Sequence, residues 1–128
     1  MKQEDKDLLL KDLCARLPYN PMVEYKGEMY NVLGISHGRL VLCKPFMSYT
    51  LDEHPLIEEA KPYLFPLSSM TIEQRQELDF IVGKKIYKEI NYHECIRQMI
   101  DFYHKHHFDY RGLIPKGLAS DATGLNIY

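Results

Sequence analysis

The stretch HKHHFDYRGL, residues 104–113, puts three histidines, an aspartate, two aromatic rings and an arginine into ten positions. His104 and His107, three apart on a helix, can reach one metal ion, and Asp109 is the nearest third donor for a catalytic zinc. The pattern argues against that use. The two-histidine helical motif runs HExxH, with the glutamate as base, whereas no glutamate stands among these histidines and Asp109 falls past the predicted helix end. His93 and His104 share a direction on a helical wheel, yet eleven residues separate them by roughly 16 Å along the axis. His104, His107 and Asp109 are therefore weak metal-ligand candidates, and a metal-dependent hydrolase is the most distant functional reading. The plainer reading places the histidines at a helix end, where imidazolium meets the negative pole of the dipole. No cofactor is expected.

RGLIPKGLA, residues 111–119, gives Gly112 and Gly117 the spacing of a phosphate loop. That loop continues Lys-Ser or Lys-Thr, and here Leu118 and Ala119 follow. The segment reads instead as a docked, glycine-hinged turn in which Leu113, Ile114 and Leu118 pack down. Its aromatic and basic residues, Phe108, Tyr110, Arg111 and Lys116, are the candidate partner-binding set. The chain has ten tyrosines and no tryptophan, and tyrosine combines a large contact area with a hydroxyl. Tyr25 and Tyr30 read as strand residues and Tyr92 and Tyr103 as core, whereas Tyr49, Tyr63 and Tyr110, in irregular segments near proline or arginine, are the better candidates for contact. A second function class is nucleic-acid binding, with Lys26, Arg39 and Lys44 meeting phosphates while Tyr25 or Tyr30 stacks on a base. Asp52, Glu53, Glu58 and Glu59 read as a solvated face.

These groups need a scaffold. A chain of 128 residues, 45% hydrophobic and 27% charged with a formal charge of -2, suits one soluble domain spanning residues 1–128 and no general polyanion binder. Charges interrupt the N-terminal stretch MKQEDKDLLLKDLCARLP, so neither secretion nor membrane insertion is expected. Cys14, Cys43 and Cys95 form no CxxC pair; reduced, mostly buried thiols in a cytoplasm fit best. The oligomeric state is open.

The predicted elements are an amphipathic helix within residues 1–17, an antiparallel sheet over 22–66, helices over 71–107 and a glycine-containing C-terminal segment over 108–128. Leu9, Leu10, Leu13, Cys14 and Leu17 recur at helical spacing before Pro18. Alternation around Lys26-Gly27 and His37-Gly38 predicts a three-strand meander. Residues 45–55 read as a long exposed loop, and LIEEAKPYLFP as a fourth strand that Pro62 confines to an edge or a bulge. Thr71 with Gln74 and Asn91 with Glu94 are helix-capping pairs, and Leu78, Ile81, Val82 and Ile86 mark a buried face. The class is α+β, with the small curled sheet suggesting an SH3-like barrel. The tail after Gly117 reads as weakly ordered.

Three blocks, KDLCARLPY (11–19), EEAKPYLFPLSSMT (58–71) and above all HHFDYRGLIPKGLA (106–119), resemble a group of small uncharacterised proteins of gut Bacteroides-type bacteria and their prophages or mobile elements. The middle block departs from the group at Phe65, where a basic residue is expected. The resemblance implies a bacterial or phage cytoplasm and brings no activity with it. Beside it, the residues themselves favour a non-enzymatic protein-interaction or accessory module with a protein partner, ahead of nucleic-acid binding.

Overall fold

In the computed structural model, which describes residues 1–45 and 49–128, helix α1 runs Gln3–Arg16 and tightens into a single 3-10 turn at Leu17–Tyr19. Glu4 and Asp5 lie in its first turn, where negative charge suits the dipole. Pro18, in the 3-10 turn, has no N–H to continue the helix. Strands β1 (Met22–Tyr25), β2 (Glu28–Ser36) and β3 (Arg39–Cys43) form the expected meander. At Lys26-Gly27 and His37-Gly38 both residues have positive φ, between 51° and 77°. Two left-handed residues in succession make the hairpin turn whose twist matches its strands, and glycine tolerates the second position best. Register follows, with Tyr25 opposite Glu28 and Ser36 opposite Arg39.

The described part of the following loop runs back along the free edge of β3. Leu51 N–H donates to the Leu42 carbonyl, and Leu40 N–H donates to that of Pro55, so a strand edge that would otherwise recruit another strand is partly covered. Phe46, Met47 and Ser48 of the predicted loop lie outside the described residues.

Strand β4 (Lys61–Leu64) pairs antiparallel with β1, and β5 (Ser120–Asp121) pairs parallel with β4, giving the order β3-β2-β1-β4-β5. This corrects three expectations. The sheet is mixed rather than antiparallel. It stays open rather than closing into an SH3-like barrel, because the face a barrel would close upon is filled by Leu9 and Leu13 of α1 and by Leu113, Leu118 and Ala119, packed on Val23, Val32, Leu40 and Leu42. The tail is docked: β5 extends the sheet, Ala122 is fully buried, and the Tyr128 hydroxyl accepts from Met22 N–H and donates to the Tyr63 carbonyl. Pro62 also sits in a strand with neighbours on both sides; β5 begins opposite Tyr63, one residue beyond the proline, so that ladder starts where a donor exists.

Helices α2 (Ile72–Ile86) and α3 (Tyr92–Lys105) form a hairpin. The Thr71 hydroxyl accepts from Gln74 N–H while the Gln74 side chain accepts from Thr71 N–H, and Asn91 Oδ1 accepts from Glu94 N–H. Leu78 and Phe102 bury against Phe108, with Phe65 and Met70 alongside, which ties the hairpin to the C-terminal segment and to the end of β4. Tyr92 and Ile86, expected in the core, are exposed, while Tyr63, expected in an irregular contact segment, is a buried residue of β4. Cys14 is exposed; Cys43 and Cys95 are buried.

Candidate functional site

On a wheel, Leu9, Asp12, Leu13 and Arg16 share one face of α1, and all four are buried. The Arg16 guanidinium donates from Nε to Asp12 Oδ2 at 2.8 Å and from Nη2 to Asp12 Oδ1 at 3.1 Å; Nη2 also donates to the Phe108 carbonyl at 2.7 Å. Arg111 Nε lies 3.1 Å from Asp12 Oδ1, too poorly aligned to count as a hydrogen bond. Asp12 thus faces two guanidinium groups. Both lie over the Tyr110 ring, Arg111 at 5.0 Å and Arg16 at 5.5 Å from its centroid.

The next residues hold the C-terminal segment against this pair. Asp109 accepts from the N–H groups of Leu113 and Ile114, each at 2.8 Å, and so fixes the turn that buries Leu113. Phe65 N–H donates to the His107 carbonyl and Asp109 N–H to the Phe65 carbonyl, both at 2.8 Å. His104 Nε2 and the Tyr110 hydroxyl share a hydrogen bond of 2.7 Å, and Tyr103 stacks on Tyr110. All three blocks singled out in the sequence meet here, Asp12 and Arg16 from the first, Phe65 from the second, residues 106–114 from the third.

Electrostatics follow the burial. Desolvation, reinforced by the Arg16 charge, lowers the His104 pKa and brings that of His107 from 6.5 to about 4. Both rings are neutral near pH 7, which corrects the expectation of imidazolium at the helix end: a buried ring beside a guanidinium does not take a second positive charge. His107 stacks on Tyr128 with ring centroids 3.4 Å apart, and burial raises the Tyr128 hydroxyl to about 12. His106 instead meets Glu77, whose carboxyl stays below its ordinary range because bonds from His106 and Lys105 outweigh its desolvation.

The candidate metal ligands do not converge. His104 is bonded to Tyr110, His107 is stacked on Tyr128, and Asp109 is occupied by two backbone donors. Among the described residues no group of three His, Cys, Asp or Glu side chains is placed to hold a metal. A cleft of about 550 Å³ has His107 and Tyr128 in its wall, with Tyr19, Asn20 and Asn31; His107 Nδ1 is itself buried and does not reach that space.

The partner-binding candidates divide. Phe108 is 1% exposed and stacks on Phe102 in the helical core, so it has no surface to offer a partner. Tyr110 and Arg111 are half-buried, and Lys116 is exposed. The nucleic-acid candidates are dispersed. Lys26 pairs with Glu53, which also accepts from the Tyr25 hydroxyl; Lys44 pairs with Glu28, which accepts from that of Tyr30. Arg39, at the far end of β3 from Lys44, donates to the His54 carbonyl. Tyr25 and Tyr30 are buried side by side, and no base reaches their faces.

Sequence reasoning missed two things. Asp12 and Arg16 were hidden by the assumption that charges on an amphipathic helix point outward, although their spacing beside Leu9 and Leu13 carried the signal. It also missed a surface. The apolar face of α3 is only partly used: Cys95 and Phe102 are buried, Ile100 and Tyr103 half-buried, and Tyr92 and Ile96 exposed. Through the stacked Tyr103 and Tyr110 this strip continues to Arg111. Among the described residues no helix is long and apolar enough to cross a membrane. Comparison of the chain with protein-family models, with curated proteins and with solved structures finds no match.

Proposed function

We propose that this chain is a non-enzymatic protein-interaction or accessory module of a bacterial or phage cytoplasm, and that its partner seats on the strip formed by Tyr92, Ile96, Ile100, Tyr103, Tyr110 and Arg111. The observation that carries this reading is the continuity of the strip: a helical row of partly exposed apolar side chains passes into a stacked tyrosine pair capped by a guanidinium. Tyrosine and arginine are enriched in interface cores and among the residues that dominate binding. The buried polar cluster supports the same reading from below. His104 holds the Tyr110 hydroxyl, and Asp12 lies against Arg111, so the contact residues are held before a partner arrives and binding loses little side-chain entropy.

The test is capture from the native cell with the wild-type chain, followed by titration of the recovered protein against Ile96→Asp and Tyr110→Ala variants. A contact on the strip weakens by about tenfold or more for each, since hot-spot residues exceed ~1.4 kcal/mol. A captured protein that binds both variants as tightly as wild type places its site elsewhere and removes the strip.

A further inference from the structure

Helix α2 carries a second exposed face. On α2, Phe80 is 67% exposed and Tyr87, which follows its last turn, is 81% exposed. Seven residues apart, they lie within about 20° of each other on a wheel. Gly83 lies between them. With Gln76, Asp79 and Lys84 these residues line a shallow groove of about 450 Å³ whose floor is glycine. Glycine weakens a helix interior, and no contact among the described residues requires it here: a Cβ built on Gly83 would meet none of their atoms within 4 Å. Its φ is also ordinary. The bare floor is open to a side chain from outside.

The charges on α2 select the occupant. Its first half carries Glu73 and Asp79 against Arg75, with Glu77 already held by Lys105 and His106, and its last turn carries Lys84 and Lys85, with Lys88 and Glu89 just beyond the helix. Glu73, Phe80, Lys84 and Tyr87 fall within about 60° of one another on the wheel, while Arg75 lies well away from them. Lys84 already sits 5.0 Å above the Phe80 ring. A helix of this pattern is complementary to itself when reversed: with a two-fold axis near Phe80, Lys84 of each copy lies against Glu73 of the other, whereas a parallel pairing would set like charges together. Self-complementarity about a two-fold is the requirement of a symmetric dimer.

We propose that a second copy of this chain docks here, α2 antiparallel to α2, with Phe80 of each copy entering the groove floored by Gly83 of the other. The contact uses Glu73, Phe80, Gly83 and Lys84 of α2, none of which belongs to the α3 strip, so different variants test the two sites. The interface is centred on one helix and is smaller than the standard size for stable complexes, so dimer and monomer exchange with concentration.

Sedimentation equilibrium on the full chain from about 1 µM to about 1 mM spans dissociation constants in the range such contacts reach. The expected result is a reversible monomer–dimer equilibrium. Phe80→Asp and Gly83→Leu, one removing the knob and one filling the hole, should each raise the dissociation constant by about 30-fold or more, with unchanged circular dichroism showing an intact fold. Lys84→Glu and Glu73→Lys should each weaken self-association, and mixing the two should restore dimers containing one copy of each; loss in each variant alone followed by recovery in the mixture is the pattern of antiparallel pairing, since in a parallel pair like charges would already oppose one another in the unsubstituted chain and neither variant alone would weaken it. A chain that stays monomeric throughout the range overturns the proposal. So does a dimer indifferent to Phe80→Asp and Gly83→Leu, or a charge-swapped mixture no more dimeric than its components.

Discussion

Asp12, Arg16, His104, His107 and Asp109 are all buried, while Ile72, Phe80, Ile86, Tyr87 and Tyr92 are all more than half exposed, an inversion of the usual distribution. The first group has the side chains that ordinarily do chemistry, and in this molecule they tie α1 and the end of α3 to the C-terminal segment and fix the turn within it. The second group has the side chains that ordinarily fill cores, and none of its members has a core to fill. A charged or imidazole group held by partners within its own chain is unavailable to a substrate, whereas an apolar side chain in water gains free energy from whatever covers it. The two proposed contact surfaces therefore lie on the hairpin. The polar cluster explains why the hairpin and its neighbouring tyrosines are held in place.

Breaking the polar cluster should produce the largest effect. Arg16→Ala removes both bonds to Asp12 and the bond to the Phe108 carbonyl, leaving a fully buried carboxylate with only the misaligned Arg111. Truncating one member of such a pair costs about 3 to 5 kcal/mol, measured as the change in unfolding free energy by denaturant titration. A loss under about 1 kcal/mol, the range of surface pairs, would mean that water reaches Asp12 and that the two regions differ less than their burial indicates.

The same cluster sets the acid response. The folded pKa of His107 is about 4 against an ordinary 6.5, so between these values the unfolded chain binds a proton that the folded chain refuses. Stability is then full above about pH 6.5 and falls as pH drops toward 4, by roughly 2.5 kcal/mol between ~pH 7 and ~pH 4.5. His104 is lowered as well and acts in the same direction. Denaturant melts of wild type and His107→Asn at the two pH values isolate the histidine, asparagine being tolerant of the positive φ at this position. Equal losses in the two proteins would show that His107 titrates normally and is wetter than its surroundings imply.

Arg111 lies between the two regions, and its truncation should fall between them in effect. Its side chain is 20% exposed, touching Asp12 on one side and Tyr110 on the other. Arg111→Ala leaves Asp12 with both bonds to Arg16, so no carboxylate is orphaned, and the expected cost is about 1 to 2 kcal/mol, above a surface pair and below a buried one. A denaturant melt as damaging as that of Arg16→Ala would make Arg111 wholly structural and remove it from the contact strip.

How much of this was legible in the sequence depended on how local the cause was. The meander turns could be read at Lys26-Gly27 and His37-Gly38 because two left-handed residues in succession are a requirement of the turn itself, and both helix N-termini could be read from Thr71 and Asn91. Whether the sheet closes was not legible. That is decided by Leu9 and Leu113, about a hundred residues apart, meeting on one face. The polar cluster was half legible: the spacing of Asp12 and Arg16 was visible, but their partner, the Phe108 carbonyl, is 92 residues away. The exposed row on α2 and α3 was illegible for a different reason, since periodicity identifies an apolar face without saying what covers it.

The smallest effect belongs to the tip of the hairpin, where the contrast is most easily broken. Helical period assigns Ile86 to the same buried face as Leu78, yet Ile86 is 65% exposed beside the exposed Tyr87 and Tyr92. The reason is positional. Leu78 packs with Phe102 and Phe108 at the level of the C-terminal segment, whereas α2 ends at Ile86 and the chain turns back through Lys88 at a φ of 61°, beyond the reach of that segment. If this is correct, Ile86→Ser and Tyr92→Ser each change unfolding free energy by no more than about 0.5 kcal/mol, as surface substitutions do. Leu78→Ala, two turns earlier on the same face by period, costs about 2 to 5 kcal/mol. The three denaturant melts are read together. A cost above about 2 kcal/mol for Ile86→Ser would mean that the hairpin tip is packed in solution, and the exposed apolar row would then belong to the core. A null result has a practical consequence, because side chains that can be removed without disturbing the fold are ones whose effect on partner capture or self-association can be measured directly.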